Sequence, residues 1–206
     1  MKKIFISLLL ITTIGVSAQK ETYKIADGVI THQDLFNASM VEGVSCFRIP
    51  AIVTAPNGDL IAAIDERVPN CGDLNRSGDI NIVVRRSADN GKTWSGIETV
   101  VNFPLGLSAS DPSMIVDRDT KEIILFYNYM DYEKERDIYY LHVVKSKDNG
   151  KTWSKPEDIT KQIAKPEWHK DFKFITSGLG IQTKDGKVLH TLVNLSKGLF
   201  IFGSDD

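Results

Sequence analysis

The sequence predicts an all-β fold, a β-propeller of four-stranded antiparallel blades, from three observations. The stretch SADNGKTW at 87–94 returns 59 positions later as SKDNGKTW, and Ser204-Asp205-Asp206 repeats the opening S-x-D at a similar spacing. Short strand-like runs surround each copy. No helix-period segment interrupts them, except for a loop around 161–172. The near-constant step indicates one supersecondary unit per copy, repeated around an axis or along a stack.

The first unit contains four predicted strands, rich in β-branched and apolar residues. They are FRIPAIVTA (47–55), LIAAID (60–65), DINIVVRR (79–86) and IETVVNF (97–103). Pro56-Asn57-Gly58 predicts a hairpin turn between the first two strands. Asn90-Gly91 predicts another after the third, because Asn and Gly tolerate positive φ best. Trp94 supplies an apolar plug beneath that turn.

The second unit repeats this arrangement, and a third begins. The predicted strands of the second unit are SMIVD (113–117), EIILFYNYM (122–130), DIYYLHVVK (137–145) and PEDIT (156–160). The third unit starts with IQTKDGKVLHTLVN (181–194) and contains the strand-like run GLFIFG (198–203). A propeller closes with roughly 4 to 8 blades. We therefore expect residues 19–206 to be the incomplete N-terminal part of a longer propeller domain, with 19–44 lending a strand to the closing blade.

The N-terminus has the pattern of a secretory signal at residues 1–18. Two lysines precede an apolar run and the small-residue pattern Val16-Ser17-Ala18, so we expect cleavage before Gln19 and a periplasmic or secreted protein. The apolar run is too short to span a bilayer, and no later segment is long enough. In an oxidising compartment Cys46 and Cys71 could form a disulfide, but the sequence equally allows two free buried thiols.

Charge and composition exclude several classes of function. The chain has 25 basic and 27 acidic residues and a net charge of −2, without the basic patch of a nucleic-acid binder. Two cysteines and four scattered histidines do not form a metal-site spacing. The run DLNRSGDIN (73–81) imitates the start of a calcium loop, but its twelfth position is Val84 where such a loop needs glutamate.

Four motifs follow one another in a fixed order: Phe47-Arg48-Ile49-Pro50, an acidic loop, Arg85-Arg86-Ser87 and the S-x-D-x-G-x-T-W boxes. In this order they resemble the bacterial sialidases, or neuraminidases, of the glycoside hydrolase class. The resemblance covers roughly residues 46–206. It implies a six-bladed propeller and an exo-α-sialidase that releases terminal sialic acids from glycoproteins, glycolipids and oligosaccharides with retention. It implies no cofactor.

The resemblance also assigns roles to four residues. Arg48 matches an arginine that binds the sialic acid carboxylate, for which a planar cationic fork is well suited. Asp73 matches the acid/base aspartate, whose pKa would have to be raised by partial burial. Arg67 and Asp111 match residues that contact the sugar ring hydroxyls. Three of the four have a structural alternative: Arg48 as a salt-bridged arginine, Asp73 as a turn-capping aspartate and Asp111 as a turn former before proline. Asp79 is the rival acid.

The nucleophile of such sialidases is a tyrosine paired with a glutamate, and the resemblance places that pair and two further arginines in later blades. We do not expect any tyrosine of the second unit to take this role. We therefore expect the 206-residue chain alone to be inactive. Two other functions stay open: a non-catalytic propeller that binds glycans or proteins, and a propeller hydrolase acting on a neutral sugar.

Overall fold

A computed structural model describes residues 22–25 and 28–204, with side chains from residue 32 onward. The chain divides into two compact units, Met1–Leu35 and Phe36–Asp206. In the first unit, β1 (Thr22–Ile25) pairs antiparallel with β2 (Gly28–Thr31). The predicted signal segment and the last two residues lie outside the described residues. The predicted contribution of 19–44 to a closing blade stays a prediction.

The second unit is built of three successive blade-like sheets. Blade 1 has the antiparallel order β3 (Cys46–Thr54), β4 (Leu60–Arg67), β5 (Ile80–Ser87) and β6 (Glu98–Val101). Blade 2 has the order β7 (Leu107–Val116), β8 (Ile123–Asp131), β9 (Tyr140–Ser146) and β10 (Glu157–Asp158). These eight strands confirm the predicted ones, although β7 begins six residues before the predicted SMIVD.

Blade 3 has an interrupted first strand. β11 (Lys173–Ile175) and β13 (Ile181–Gln182) pair with the two ends of β14 (Val188–Asn194), which also pairs with β15 (Gly198–Ser204). Between them, β12 (Gly178–Leu179) pairs with β7 in parallel. Helical structure in the described residues is limited to α1 (Thr160–Ile163) and 3₁₀ turns at Ala38–Met40, Leu74–Arg76 and Pro166–Trp168. None of these helices is long or apolar enough to cross a membrane.

Both faces of blade 2 are buried, which explains the nearly continuous apolar run of β8. Leu125 and Tyr127 belong to a core shared with blade 1, whereas Phe126 belongs to a core shared with blade 3. This alternation follows from the two-residue period of a strand. The three sheets are therefore stacked face to face through their side chains.

Each complete S-x-D-x-G-x-T-W box forms a folded corner after the third strand of its blade. In the first copy, Ser87 Oγ accepts a bond from Gly91 N at 2.8 Å, and the Asp89 carboxylate accepts bonds from Thr93 N at 2.8 Å and Thr93 Oγ1 at 2.6 Å. The second copy repeats the same bonds at the same distances with Ser146, Asp148, Gly150 and Thr152. The predicted positive φ of Asn90, Gly91, Asn149 and Gly150 is confirmed. The boxes are thus part of the scaffold.

Candidate active site

The first strands of blades 1 and 2 carry the same irregularity at the same place. The register of β3 shifts between Arg48 and Ala51, and that of β7 shifts between Ser110 and Ser113. In each strand a residue with positive φ precedes a proline: Ile49 has φ 59° and Asp111 has φ 63°. A positive φ is costly for a β-branched residue such as Ile. Such bulges re-aim side chains and are frequent beside active sites.

These two bulges border a cleft of about 530 Å³. The cleft is lined by Arg48, Ile49, Asp73, Leu74, Asn75, Arg76, Ser110, Asp111, Tyr139, Phe172 and Phe174. Charged groups come from the bulges and the loop after β4, whereas the aromatic rings come from Tyr139 just before β9, Phe172 just before β11 and Phe174 within β11. The ring centroids of Tyr139 and Phe172 lie 4.8 Å apart. This volume is within the range of small-molecule sites, and the lining combines polar groups with aromatic rings.

Asp73 is held by two arginines through a single oxygen. Arg67 Nη1 donates to Asp73 Oδ1 at 2.8 Å and Arg48 Nη1 donates to the same oxygen at 3.0 Å. The Asp73 side chain is 64% exposed and that of Arg48 is 42% exposed, whereas that of Arg67 is 1% exposed. The hydrogen bond from Arg67, against a smaller effect of burial, holds the pKa of Asp73 below its usual value. The expectation that partial burial raises the pKa of Asp73 is therefore wrong for this structure.

The loop that carries Asp73 is fixed by a disulfide between Cys46 and Cys71, whose Cα atoms lie 5.8 Å apart. The pairing that the sequence left open is therefore present. Cys71 O accepts a bond from Arg48 Nη1 at 3.1 Å, and Gly72 O accepts one from Arg67 Nη1 at 2.7 Å. Asp73 precedes the 3₁₀ turn but its side chain makes no capping bond there. Its carboxylate is thus directed to the arginines, and the turn-capping alternative does not describe it.

Behind Asp73 lies Asp65, a fully buried carboxylate that joins blades 1 and 2. Its Oδ2 accepts bonds from Arg67 Nη2 at 2.7 Å and from Ser110 Oγ at 2.5 Å, and its Oδ1 accepts one from Asp111 N at 2.9 Å. Burial, and then the charge of Asp111, raise the pKa of Asp65 to about 7, although Ser110 and Arg67 act in the opposite direction. Arg67 does not line the cleft; it lies between Asp65 and Asp73, where it positions the loop.

Asp111 lines the cleft and is fixed by blade 2 itself. Asn128 Nδ2 donates to Asp111 Oδ2 at 3.0 Å, and burial raises the pKa of Asp111. Asn128 also exchanges two bonds with the backbone of Ile175 in blade 3, at 2.9 and 3.0 Å. The turn-former alternative for Asp111 is compatible with its position before Pro112. The rival acid Asp79 is not among the residues that line the cleft.

Sequence reasoning missed both Asp65 and Asn128. The available signal was a polar residue inside an apolar strand, Asp65 at the end of LIAAID and Asn128 within IILFYNYM. A polar residue at a buried strand position requires hydrogen-bond partners, but the sequence does not name them. Both residues occupy equivalent registers, since Asp65 pairs with Arg48 and Asn128 pairs with Ser110. Each holds the first strand of the following blade.

A second cavity of about 510 Å³ lies between blades 2 and 3. It is lined by His190 and Phe126 and contains no arginine, and His190 Nε2 is bonded to Ser113 Oγ. We therefore place the candidate active site in the cleft at Arg48. Within the described residues, no group of three His, Cys, Asp or Glu side chains could hold a metal ion.

The stacked sheets and their repeated corners define a β-propeller fold. The chain matches the model of the BNR repeat-like domain family over residues 49–197, and it belongs to that family. It is 34% identical over 172 residues to a sialidase of Micromonospora viridifaciens, covering 76% of this chain and 25% of that protein. It is 30% identical over 165 residues to a sialidase of Bacteroides fragilis, covering 70% and 30%. The chain thus spans less than a third of the length of these two relatives.

Solved sialidase structures have the same fold. The Hadza microbial sialidase Hz136 superposes with a TM-score of 0.70 at 27% identity, covering 80% of this chain and 36% of that one. The leech intramolecular trans-sialidase superposes with a TM-score of 0.72 at 19% identity, covering 93% and 45%, and this likeness shows the fold alone. The chain therefore has sialidase relatives by sequence and by structure.

Proposed function

We propose that these blades supply the carboxylate-binding and acid/base half of an exo-α-sialidase site, which releases terminal sialic acids from glycoconjugates with retention. The observation that supports this most strongly is the pairing of Arg48 with Asp73 at the cleft. Both side chains are partly exposed, while the groups that fix them, Arg67 and Asp65, are buried. A structural ion pair would not need a cleft of about 530 Å³ beside it.

The proposed chemistry follows from these positions. Arg48 binds the sugar carboxylate, because a guanidinium is permanently charged and offers a planar fork. Asp73 donates a proton to the leaving oxygen and later accepts one from the attacking water. Asp111, held by Asn128, accepts a hydrogen bond from a ring hydroxyl. Arg67 orients Asp73 from behind.

Among the described residues that line the cleft, none is a suitable nucleophile for the proposed reaction. Tyr139 lines the cleft, but burial raises its pKa, so it is not activated. Tyr140 Oη donates to Glu135 Oε2 at 2.7 Å, yet neither residue lines the cleft. We therefore expect no turnover of a fluorogenic sialoside by the 206-residue chain. Turnover by this chain would show that one of its own residues serves as the nucleophile.

A non-catalytic glycan-binding module is the second candidate function. The low pKa of Asp73 favours it, because an acid that is ionised at neutral pH is a poor proton donor. The two functions differ in what the loss of Asp73 does. Sialoside hydrolysis, measured in a complete propeller that contains these blades, should fall roughly 10²- to 10⁴-fold in Asp73→Asn. The matched variant Asp79→Asn should keep its activity. Equal activity of both variants would refute the acid/base role and favour the binding module.

The substrate class is tested by binding to the chain itself. We expect it to bind an unsaturated sialic acid, 2-deoxy-2,3-didehydro-N-acetylneuraminate, in preference to glucuronate or a neutral galactoside. Preference for galactoside would favour a hydrolase of neutral sugars. We also propose export to the periplasm or beyond, which the disulfide supports; cell fractionation with a reporter fused after the chain would test it.

A further inference from the structure

Asp73 and an acidic ligand would need the same guanidinium. Asp73 Oδ1 lies 3.0 Å from Arg48 Nη1, and both side chains line the cleft. Arg67 donates to the same oxygen at 2.8 Å, but it is also bonded to Asp65 and to Gly72 O. Arg67 is buried and Arg48 is partly exposed. Of the two ion pairs of Asp73, the one with Arg48 is therefore the one that a ligand can reach.

We propose that Asp73 is an internal competitor for Arg48, and that the carboxylate of an incoming acidic sugar displaces it from this guanidinium. The inference rests on the function proposed above and deepens it. After displacement, Asp73 is paired with Arg67 alone and lies beside a new negative charge. Both changes favour the protonated carboxyl, so a proton from solvent is bound as the ligand enters. Recognition of the acidic group thereby loads the acid that the reaction needs.

The surroundings of Asp73 support this exchange. The titratable and charged groups around it are Arg48 from β3, Asp65 and Arg67 from β4, Arg76 from the 3₁₀ turn, Asp111 from β7, and Tyr139 before β9. The hydrogen bond from Arg67 and the charges of both arginines lower the pKa of Asp73, while burial opposes them. The pKa must therefore be higher in the complex than in the free protein, and protons are taken up on binding between the two values.

Calorimetric titration tests this proposal on the chain itself. The probe is 2-deoxy-2,3-didehydro-N-acetylneuraminate, which carries the carboxylate but no glycosidic oxygen. Titrations at about pH 4, near the ordinary pKa of aspartate, in two buffers of different ionisation enthalpy give the number of protons bound. We expect proton uptake by the native chain and by Asp79→Asn, and none by Asp73→Asn. At pH 7, Asp73→Asn should bind the probe roughly two- to fivefold more tightly, because an exposed ion pair no longer competes.

The outcomes separate this proposal from the function on which it rests. Binding without proton uptake, or weaker binding by Asp73→Asn at pH 7, would overturn the competition while leaving the sialic acid site in place. Loss of proton uptake in Asp79→Asn would overturn the assignment to Asp73. No binding of the probe by the native chain would overturn the proposed function and, with it, this inference.

Discussion

Asn128 joins blade 2 to blade 3, and replacing it by aspartate tests how this junction supports the cleft. The substitution keeps the size of the side chain and removes two donated bonds. Asn128 Nδ2 donates to Asp111 Oδ2 and to Ile175 O, each at 3.0 Å, and the side chain is fully buried. In Asn128→Asp at neutral pH, a carboxylate oxygen replaces the amide nitrogen. This oxygen can only accept, and it faces two other acceptors, Asp111 Oδ2 and Ile175 O.

The expected loss in the free energy of unfolding comes from two buried acceptors that lose their hydrogen-bond donor. Each costs about 1–3 kcal/mol, and repulsion from Asp111 adds to it, giving about 3–5 kcal/mol in total. For a chain of 206 residues this lowers the unfolding midpoint by roughly 6–20 °C. Burial and Asp111 would raise the pKa of the new carboxyl. The cost is therefore greatest at high pH and shrinks as the pH falls and the carboxyl becomes a donor again.

Thermal unfolding followed by circular dichroism at pH 7 and at about pH 4.5 measures both effects. The matched control is Asn102→Asp, which places the same charge at an exposed position. Its midpoint should stay within about 2 °C of the native chain. If Asn128→Asp unfolds at the same temperature as this control at pH 7, the junction is not held by these bonds. A deficit that does not shrink at low pH would refute the assignment to a buried carboxylate.

Three further predictions concern the scaffold. Gly150→Ala should lower the free energy of unfolding in denaturant by about 1–3 kcal/mol more than Gly91→Ala. A Cβ added at Gly150 would lie 2.5 Å from a fully buried isoleucine of β4, whereas the nearest atom to a Cβ added at Gly91 is 3.6 Å away. Equal costs would contradict packing of the second box on blade 1. Replacing Cys46 and Cys71 by serine should lower stability by about 2–4 kcal/mol, and an unchanged denaturation midpoint would exclude a structural disulfide. Asp148 accepts bonds that lower its pKa to about 2, so its contribution to stability is present above about pH 4 and is lost as the pH falls to about 2. Because this carboxylate is largely exposed, solvent screening limits its contribution, and Asp148→Asn should cost at most about 1 kcal/mol at pH 7. The variant should also lose less stability on acidification than the native chain, and an unchanged acid dependence would refute this.

The scaffold was largely predictable because its signals are local. Asn-Gly turns and the bonds of Asp89 and Asp148 form within eight residues, so the sequence contains all of their partners. The start of β7 was missed because Ser108 and Ser110 are polar, yet both are fully buried. Ser108 Oγ donates to Ser77 O and accepts from Ile80 N, and these partners come from another blade.

The site was only partly predictable. The sequence singled out Arg48, Asp73 and Asp111, which the structure brings to one cleft, although their chemical roles stay predictions. It did not predict the burial of Arg67 or the part played by Asp65. Asp65 is bonded to residues 45 and 46 positions away, and contacts between blades at such separations leave no periodic pattern in the sequence. The paired cations also reversed the expected direction of the pKa of Asp73.

A binding cycle that removes the charge from each partner in turn tests whether the Arg48 guanidinium binds the carboxylate of an acidic sugar. The chain and Arg48→Met are titrated with the unsaturated sialic acid and with its methyl ester, and Arg118→Met, altered at an exposed arginine outside the cleft, serves as the control. We expect the native chain and the control to prefer the acid by roughly 10- to 100-fold, and we expect this preference to disappear in Arg48→Met. An undiminished preference for the acid in Arg48→Met would refute the proposed role of Arg48.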